Sequence, residues 1–309
     1  MNWEHARKLL RAAGRQSNPA RGPAGGLAAR SRAEFGAMAP VRAASVCIAS
    51  GKGGTGKSVF TASLACALSR AMRVLVVDAD MGVGNAHILH NVQPALSFVD
   101  VVENEAPMRD VIQRVKTNLD LVAAGSGVSH MAGLSPFDMH LIACGLEAIE
   151  PGYDVLLLDS AAGISTQTVT IAAACDVCLI VTTPDVTALT DAYAFLKVFM
   201  RRAPTVTPLL VVNRTPCLEE GGKVAERVID VARRFLGRAP RHVGSLPYDE
   251  GVVRSVNARV PTIEYDPQGA FARSLVEVAR AVRAEIDRTP HRGLGRTLLR
   301  TVGYVPEKR

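Results

Sequence analysis

Lys52, Lys57 and Ser58 lie within one glycine-rich stretch, Ser50–Ser58, which has the spacing Gly-x-x-x-x-Gly-Lys-Ser from Gly51 to Ser58. An apolar run typical of a strand precedes it, and a run typical of a helix follows. Glycines let backbone N–H groups turn towards a polyphosphate, and a helix start adds a positive electrostatic end. Lys57 would reach the β- and γ-phosphates, and Ser58 would hold Mg²⁺. The stretch therefore predicts a nucleotide-binding loop. We assign nucleotide contacts to Gly51, Gly53, Gly54, Thr55, Gly56, Lys57, Ser58 and Val59.

Carboxylates end two other apolar runs that are typical of buried parallel strands. Asp78 and Asp80 close the first run, and Asp159 closes the second. Ligands of open α/β sheets bind at the carboxyl ends of the strands. Carboxylates at that edge can orient a water molecule or hold the waters of Mg²⁺. We therefore expect Ser58, Asp80 and Asp159 to form a magnesium site.

A second lysine, Lys52, directly follows the first glycine of the loop, where an ordinary phosphate-binding loop needs no cation. The form from Lys52 to Ser58 resembles the deviant Walker A motif of the MinD/ParA family of ATPases. The resemblance implies that Lys52 crosses the interface of an ATP-dependent homodimer and contacts the nucleotide of the other subunit. It also implies a doubly wound α/β fold with a mostly parallel sheet flanked by helices, ATP and Mg²⁺ as cofactors, and slow, partner-stimulated ATP hydrolysis.

The carboxylate stretches resemble the switch regions of the same family. The family's second switch I aspartate positions the attacking water, and that role falls on Asp80, with Asp78 as its neighbour. Asp159 matches the Walker B aspartate that binds Mg²⁺, and the residues after it resemble switch II. Gly163 would bring a backbone N–H to the γ-phosphate, which makes the loop sensitive to hydrolysis. The catalytic roles implied fall on Lys52, Lys57, Asp78 and Asp80.

Another strand-like run ends in Asn213 and Arg214, which resemble the family's adenine-reading pair. An asparagine amide can both donate to and accept from the adenine edge. Pro247 and Asp249 lie in a stretch that matches the family's last adenine loop. The sequence contains no Asn-Lys-x-Asp guanine motif, so ATP is expected rather than GTP.

The most family-specific segment is Thr-Asp-Ala-Tyr-Ala at 190–194, which resembles the flagellar-number regulators of the MinD class, FlhG, FleN and YlxH. The stretch from Asn118 to Gly127 fits the same subfamily. The resemblance implies an FlhF-type GTPase, flagellar C-ring proteins or a flagellar transcription activator as partners. The subfamily often opens with an Asp-Gln-Ala helix that activates the GTPase. Here Glu4-His5-Ala6 replaces it, so GTPase activation does not follow from the sequence.

With 309 residues, 48% of them apolar, the chain can bury a full core. Repeated strand and helix patterns around a single loop favour one ATPase domain, which we place at 44–287. A basic extension at 1–43 and a basic tail at 288–309 flank it. The sequence shows neither a run of about 18 uncharged apolar residues nor a secretory signal. We therefore expect a cytoplasmic protein.

The net charge of +7 is concentrated at the two ends. Residues 1–43 carry +6 and residues 287–309 carry +4, which leaves −3 for residues 44–286. The N-terminal extension lacks a periodic apolar face after a possible short helix, so most of it is predicted to be disordered. Basic ends of this kind suit a polyanionic surface.

In the C-terminal tail, Leu294, Leu298 and Val302 recur at helical spacing beside a parallel row of arginines. This predicts a short amphipathic helix suited to an anionic membrane surface. It resembles the C-terminal membrane-targeting helix of MinD-type proteins, which implies peripheral membrane association in the ATP state. The alternative is a helix packed on the core, or a frayed tail.

The leading hypothesis is therefore an ATP-dependent switch that regulates flagellar number or placement. A ParA-type ATPase that partitions DNA or another cargo is the alternative, although the mildly acidic core makes direct DNA binding unfavourable. A third hypothesis, an iron–sulfur scaffold, rests only on Cys175 and Cys178, for which core thiols are the simpler interpretation.

Overall fold

The computed structural model describes residues 43–302, apart from residues 83, 105 and 126–132. The predicted N-terminal extension lies outside the described residues, except for Ala43, which is buried beside the first strand. The following account concerns the described part of the chain.

An eight-stranded sheet forms the centre of the domain, in the order β3-β4-β2-β5-β1-β6-β7-β8. All neighbouring strands run parallel except β3 and β4, which are antiparallel. The central strands are buried on both faces, as their continuous apolar runs predict. The strands are β1 Ala44–Ala49, β2 Val74–Ala79, β3 Ile112–Lys116, β4 Leu119–Val122, β5 Val155–Ser160, β6 Val177–Thr182, β7 Leu209–Thr215 and β8 Arg241–Pro247.

Helices connect the strands and cover both faces of the sheet, which confirms the predicted doubly wound α/β fold. Two 3₁₀ turns, Met108–Val111 and Glu150–Gly152, complete the elements of the described residues. The helices are α1 Lys57–Leu68, α2 Ala86–Leu89, α3 Phe98–Glu103, α4 Pro136–Ile149, α5 Thr166–Ala174, α6 Val186–Arg202, α7 Leu218–Leu236, α8 Glu250–Asn257, α9 Thr262–Tyr265, α10 Ala270–Arg288 and α11 Leu294–Val302.

Two hydrophobic layers fix the sheet between these helices. On one face, Phe60 of α1 and Phe271 of α10 are fully or almost fully buried against the strands. On the other face, Phe195 and Phe199 of α6 stack with their ring centroids 6.0 Å apart. Both layers reach the central strand β1, so the loop that follows β1 is held from both sides.

The strand order reverses around β1, because β5 lies on one side of it and β6 on the other. At such a switch point the loops after the two halves of the sheet diverge and leave a crevice at the carboxyl edge. The loops that follow β1, β2, β5 and β7 carry the predicted site residues. The fold therefore brings these segments to one edge. Among the described residues, no helix is long and apolar enough to cross a membrane.

The predicted amphipathic helix of the C-terminal tail is present as α11, but its apolar side faces the protein. Leu294 and Leu298 are almost fully buried and belong to the core layer that contains α4 and α5. A Cβ on Gly295 would lie 2.4 Å from the backbone nitrogen of Glu147, so α11 lies directly on α4. Of the two sequence interpretations, the structure therefore has the helix packed on the core.

Two buried carboxylates hold the segment that leads into α11. Asp176 accepts hydrogen bonds from the backbone nitrogen of Arg292 at 3.0 Å and from the Ser45 hydroxyl at 2.8 Å. Glu150 accepts one from the backbone nitrogen of Gly295 at 2.8 Å. Buried carboxylates are costly unless they are hydrogen-bonded, so these contacts tie the helix position to the stability of the domain.

We expect Leu298→Ala to lower the free energy of unfolding by about 2–4 kcal/mol, because it removes a buried leucine side chain and leaves a cavity. Urea-induced unfolding followed by circular dichroism measures this change. Arg296→Ala, an exposed position on the same helix, is the control and should change stability little. Equal stabilities for both variants would contradict the packing of α11.

The paired cysteines lie in the core. Cys175 and Cys178 have no exposed surface, and Cys178 is in register with the buried Cys47 of β1. Burial raises the pKa of the Cys175 and Cys178 thiols well above the usual range. Within the described residues, no group of three or more histidine, cysteine or acidic side chains is arranged to hold a metal. These observations favour core thiols over an iron–sulfur site.

Candidate nucleotide-binding site

The glycine-rich loop joins β1 to α1, as predicted. Gly54 and Gly56 have φ angles of 79° and 84°, a conformation that glycine adopts without strain. A Cβ built on Gly53 or Gly54 meets no atom within 4 Å, so the space above this part of the loop is open to a ligand. At the other end of the loop, a Cβ on Gly51 would lie 2.1 Å from the backbone of Asp191 in α6. The loop is thus fixed on one side and accessible on the other.

Lys57 is buried at the first position of α1, and its ammonium lies 2.5 Å from Oδ1 of Asp159. The Thr61 hydroxyl, one helical turn later, also lies within 3.3 Å of that oxygen. The predicted phosphate-binding lysine and the predicted Walker B aspartate therefore share one buried ion pair. Ser58, at the next position of α1, is partly exposed beside this pair.

Asp78 is the buried member of the predicted aspartate pair. Its carboxylate is fully buried and accepts hydrogen bonds from the backbone nitrogens of Asp80 at 3.2 Å and of Ala86 at 3.0 Å. Burial, and next the charge of Asp159 on the adjacent strand, raise the pKa of Asp78 to about 7. A Cβ on Gly84 would lie 2.6 Å from Oδ2 of Asp78. Through these contacts Asp78 holds the loop after β2 in shape.

Asp80 follows β2 directly and is partly exposed at the carboxyl edge of the sheet. Its backbone nitrogen bonds to Asp78, whereas its side chain extends from the loop that Asp78 supports. The structure thus separates the two aspartates into a buried support and a carboxylate at the edge. The family resemblance assigns the attacking water to Asp80 with Asp78 as its neighbour, and the structure adds that Asp78 is buried.

Gly163 lies in the loop after β5 with a φ of 91°. Its backbone N–H donates to the carbonyl of Ser50 at 2.9 Å. The predicted contact between this N–H and a γ-phosphate therefore requires the loop to release Ser50 first. This hydrogen bond couples the predicted switch II to the start of the phosphate-binding loop.

Asn213 and Arg214 lie at the end of β7 and contact the loop itself. The amide Nδ2 of Asn213 donates to the carbonyl of Thr55 at 2.8 Å, and its Oδ1 accepts from the backbone nitrogen of Arg214 at 2.9 Å. A Cβ on Gly56 would lie 2.4 Å from that Nδ2. Asn213 thus supports the loop in addition to any contact with a base, a role that sequence reasoning missed.

Asp249 follows β8 and caps α8. Its carboxylate accepts from the backbone nitrogens of Gly251 at 2.8 Å and Phe271 at 3.1 Å. The bond from Phe271 is the main reason that the pKa of Asp249 is lowered. The predicted last adenine loop, with Pro247 at the end of β8, is joined to β7 through a hydrogen bond from the Tyr248 nitrogen to the Thr215 carbonyl at 2.8 Å.

Lys52 contrasts with Lys57 in its environment. Its side chain is exposed, and its ammonium donates to the hydroxyl of Thr187 at 2.8 Å, in the first turn of α6. Thr187 was not among the predicted site residues. It lies only a few residues before the family-specific 190–194 segment, but nothing in the local pattern indicates a partner 135 positions away.

The residues at this edge fit a magnesium nucleotide. The Thr55 hydroxyl is buried and lacks a hydrogen-bond partner among the described residues, as expected of a group that serves a ligand. The hydroxyl of Ser58 and the carboxylates of Asp80 and Asp159 are the hard oxygen donors that Mg²⁺ prefers. Mg²⁺ in such sites is held by only one or two protein groups together with phosphate oxygens and water.

Comparisons with known proteins agree with this geometry. Residues 43–207 match the family described as an AAA domain. The antiactivator FleN of Pseudomonas aeruginosa is 32% identical over 83% of this chain and 90% of its own length. The flagellum site-determining protein YlxH of Helicobacter pylori is 28% identical over 84% of this chain and 90% of its own. A structure of MinD from Pyrococcus horikoshii complexed with Mg-ADP shares the fold, with a TM-score of 0.66 and 23% identity over 78% of this chain and 96% of that one.

Proposed function

Because this chain belongs to the MinD/ParA-type family of P-loop ATPases, we propose that it is an ATP-dependent dimerising switch that regulates the number or placement of flagella. Membership makes it an enzyme that hydrolyses ATP with Mg²⁺ as cofactor. The observation that carries the switch proposal is the contrast between its two loop lysines, one buried and paired and the other exposed.

Each site residue has a separate proposed role in ATP hydrolysis. The N–H groups of the loop and the ammonium of Lys57 would bind the phosphates, and Ser58 and Asp159 would hold Mg²⁺. Mg²⁺ neutralises the charge on the phosphate oxygens when it is bound. Asp80 orients the attacking water from the edge of the sheet. Asp78 keeps the Asp80 loop in position through its backbone hydrogen bonds.

Lys52 can serve a task outside its own subunit, because Lys57 already supplies a buried cation beside Asp159. A lysine on the open rim of the loop can reach the phosphates of a nucleotide in a second copy of the chain. Such a contact links dimerisation to the bound nucleotide and adds positive charge where the transferring phosphoryl group develops negative charge. ATP binding would then assemble the dimer, and hydrolysis would dissolve it.

The loop around Gly163 is suited to report the nucleotide state. Its N–H is bonded to Ser50 at 2.9 Å and can exchange that partner for a γ-phosphate. Asn213 and Arg214, which contact the loop, and the Pro247–Asp249 segment would bind the adenine. Loss of the γ-phosphate would return the Gly163 N–H to Ser50 and change the surface that partners recognise.

The flagellar output of this proposal is supported by FleN and YlxH, whose names describe an antiactivator and a flagellum site-determining protein. An FlhF-type GTPase, C-ring proteins and a flagellar transcription activator are the partners that this output implies. In a Pseudomonas aeruginosa strain that lacks FleN, expression of this chain should restore the flagellar number counted by electron microscopy. A Lys52→Ala chain expressed at the same level should not restore it.

Peripheral membrane association through α11 is compatible with this function only in a state in which Leu294 and Leu298 leave the core. DNA or cargo partitioning is the alternative output. DNA binding that weakens steeply with salt, together with failure to restore flagellar number, would favour partitioning over flagellar regulation.

We expect Lys52→Ala to retain ATP binding but to lose ATP-dependent dimerisation. The reason is that Lys52 contributes to the proposed interface and takes no part in the buried ion pair between Lys57 and Asp159. Light scattering after size exclusion, with ATP analogue or ADP, measures the dimer, and a fluorescent nucleotide titration measures binding. Lys223→Ala, at an exposed lysine of α7 that pairs with Glu219 and Glu220, is the control. A Lys52→Ala chain that still dimerises with ATP would refute the proposed role.

A further inference from the structure

The hydrogen bond between Lys52 and Thr187 joins the rim of the phosphate-binding loop to the first turn of α6 within one chain. The donor–acceptor distance is 2.8 Å, and both residues are exposed. Among the described residues, the ammonium of Lys52 has this hydroxyl and no carboxylate as a partner. The nearby acid Asp185 is itself bonded to the hydroxyl of Thr183 at 2.7 Å.

The two ends of this contact are held in fixed positions by the backbone around them. Gly51 packs so closely on α6 that a Cβ there would lie 2.1 Å from the backbone of Asp191. The first turn of α6 is anchored by the buried Ala188, whose carbonyl accepts from the Thr182 hydroxyl at 3.2 Å. The hydroxyl of Thr187 therefore stands at a defined place beside Lys52, and the contact is a feature of the fold.

We propose that Thr187 is a positioning residue that holds Lys52 in its own subunit and thereby sets the protein concentration at which ATP-bound dimers form. This inference rests on the proposed dimerising function. In this proposal the ammonium of Lys52 leaves the Thr187 hydroxyl when it extends towards a second subunit. Each dimer that uses Lys52 across the interface must first break this hydrogen bond.

The hydrogen bond is weak enough to be released. It is exposed to water, and the positive end of the α6 dipole disfavours a cation at the first turn of that helix. Loss of one such bond changes an equilibrium by about three-fold. Because a two-fold dimer releases two lysines, the effect is squared, to about ten-fold in the dissociation constant of the dimer.

The test compares Thr187→Val with Thr187→Ser in sedimentation velocity experiments with Mg²⁺ and a non-hydrolysable ATP analogue. Valine keeps the shape of threonine but removes the hydroxyl, so we expect dimers to form at about ten-fold lower protein concentration. Serine keeps the hydroxyl and should restore the wild-type value. Thr190→Val is the matched control, because the Thr190 hydroxyl bonds within its own helix to the carbonyl of Val186 at 2.9 Å.

Nucleotide affinity of the monomer, measured with a fluorescent analogue, should be the same in all four proteins, whereas a general disturbance of the site would change it. If the wild type dimerises and Thr187→Val dimerises equally or more weakly, the positioning role is refuted while the proposed function stands. If neither protein dimerises at any accessible concentration, the proposed function fails and the inference falls with it. Dimerisation of Thr187→Val alone would support both.

Discussion

Replacing Lys57 with methionine is expected to reduce ATP hydrolysis by more than about a thousand-fold and also to destabilise the fold. The first effect follows from the proposed role of Lys57 as the buried cation that contacts the transferring phosphoryl group. The second follows because Asp159, only 2% exposed, would lose its ion-pair partner at 2.5 Å. Breaking a buried pair by removing one partner costs about 3–5 kcal/mol.

The double variant Lys57→Met with Asp159→Asn separates these two effects. Asparagine carries no charge, so the buried site no longer contains an unpaired carboxylate, and much of the lost stability should return. Hydrolysis should stay lost, because the double variant lacks both the cation and the carboxylate that we propose to hold Mg²⁺. Urea-induced unfolding and phosphate release measure the two quantities. Recovery of hydrolysis in the double variant would contradict the roles given to both residues.

The sequence predicted those parts of the site that depend on backbone geometry. The spacing of glycines from Gly51 to Gly56 predicted the loop between a strand and a helix, and α1 indeed begins at Lys57. The apolar runs before Asp80 and Asp159 predicted buried parallel strands, and β2 and β5 are neighbours in the sheet. These features follow from local patterns, because a parallel strand buried on both faces is read directly from its composition.

The sequence did not predict the side-chain partners that lie far apart in the chain. Thr187 meets Lys52 across 135 positions, and Asn213 meets the carbonyl of Thr55 across 158. Only the strand order β5-β1-β6-β7 brings these pairs together. The difference between Asp78 and Asp80 has a similar origin. Two residues that are two positions apart in a strand lie on the same face, but Asp80 follows the end of β2, so its position depends on how the loop turns.

The C-terminal helix α11 shows that the spacing of apolar residues does not identify the surface on which a helix packs. The spacing of Leu294 and Leu298 predicts an apolar stripe, but a stripe of this kind is equally suited to lipid and to another helix. In the structure, the close approach of Gly295 to α4 and the hydrogen bonds to the buried carboxylates Asp176 and Glu150 place α11 on the protein core. Amphipathicity therefore predicted the helix correctly and left its partner open.

Asp80→Asn is expected to lower ATP hydrolysis by about 10²–10⁴-fold while ATP binding and dimerisation persist, because asparagine cannot act on the attacking water as a carboxylate does. The substitution leaves the support of the loop intact, since Asp78 holds the backbone nitrogen of residue 80 and not its side chain. Dimers formed with ATP should consequently live longer than those of the wild type. Phosphate release and the decay of dimers after ATP is removed measure the two effects.

Asp230→Asn, at an exposed aspartate of α7 that pairs with Arg233, is the control for charge removal. Asp78→Asn should behave differently from Asp80→Asn. It should disturb the loop after β2 and so reduce both ATP hydrolysis and the stability of the domain. If Asp80→Asn hydrolysed ATP at the wild-type rate, the attacking water would have to be oriented by another group. If the Asp80→Asn variant also lost ATP binding, Asp80 would be needed to bind ATP and not only to hydrolyse it.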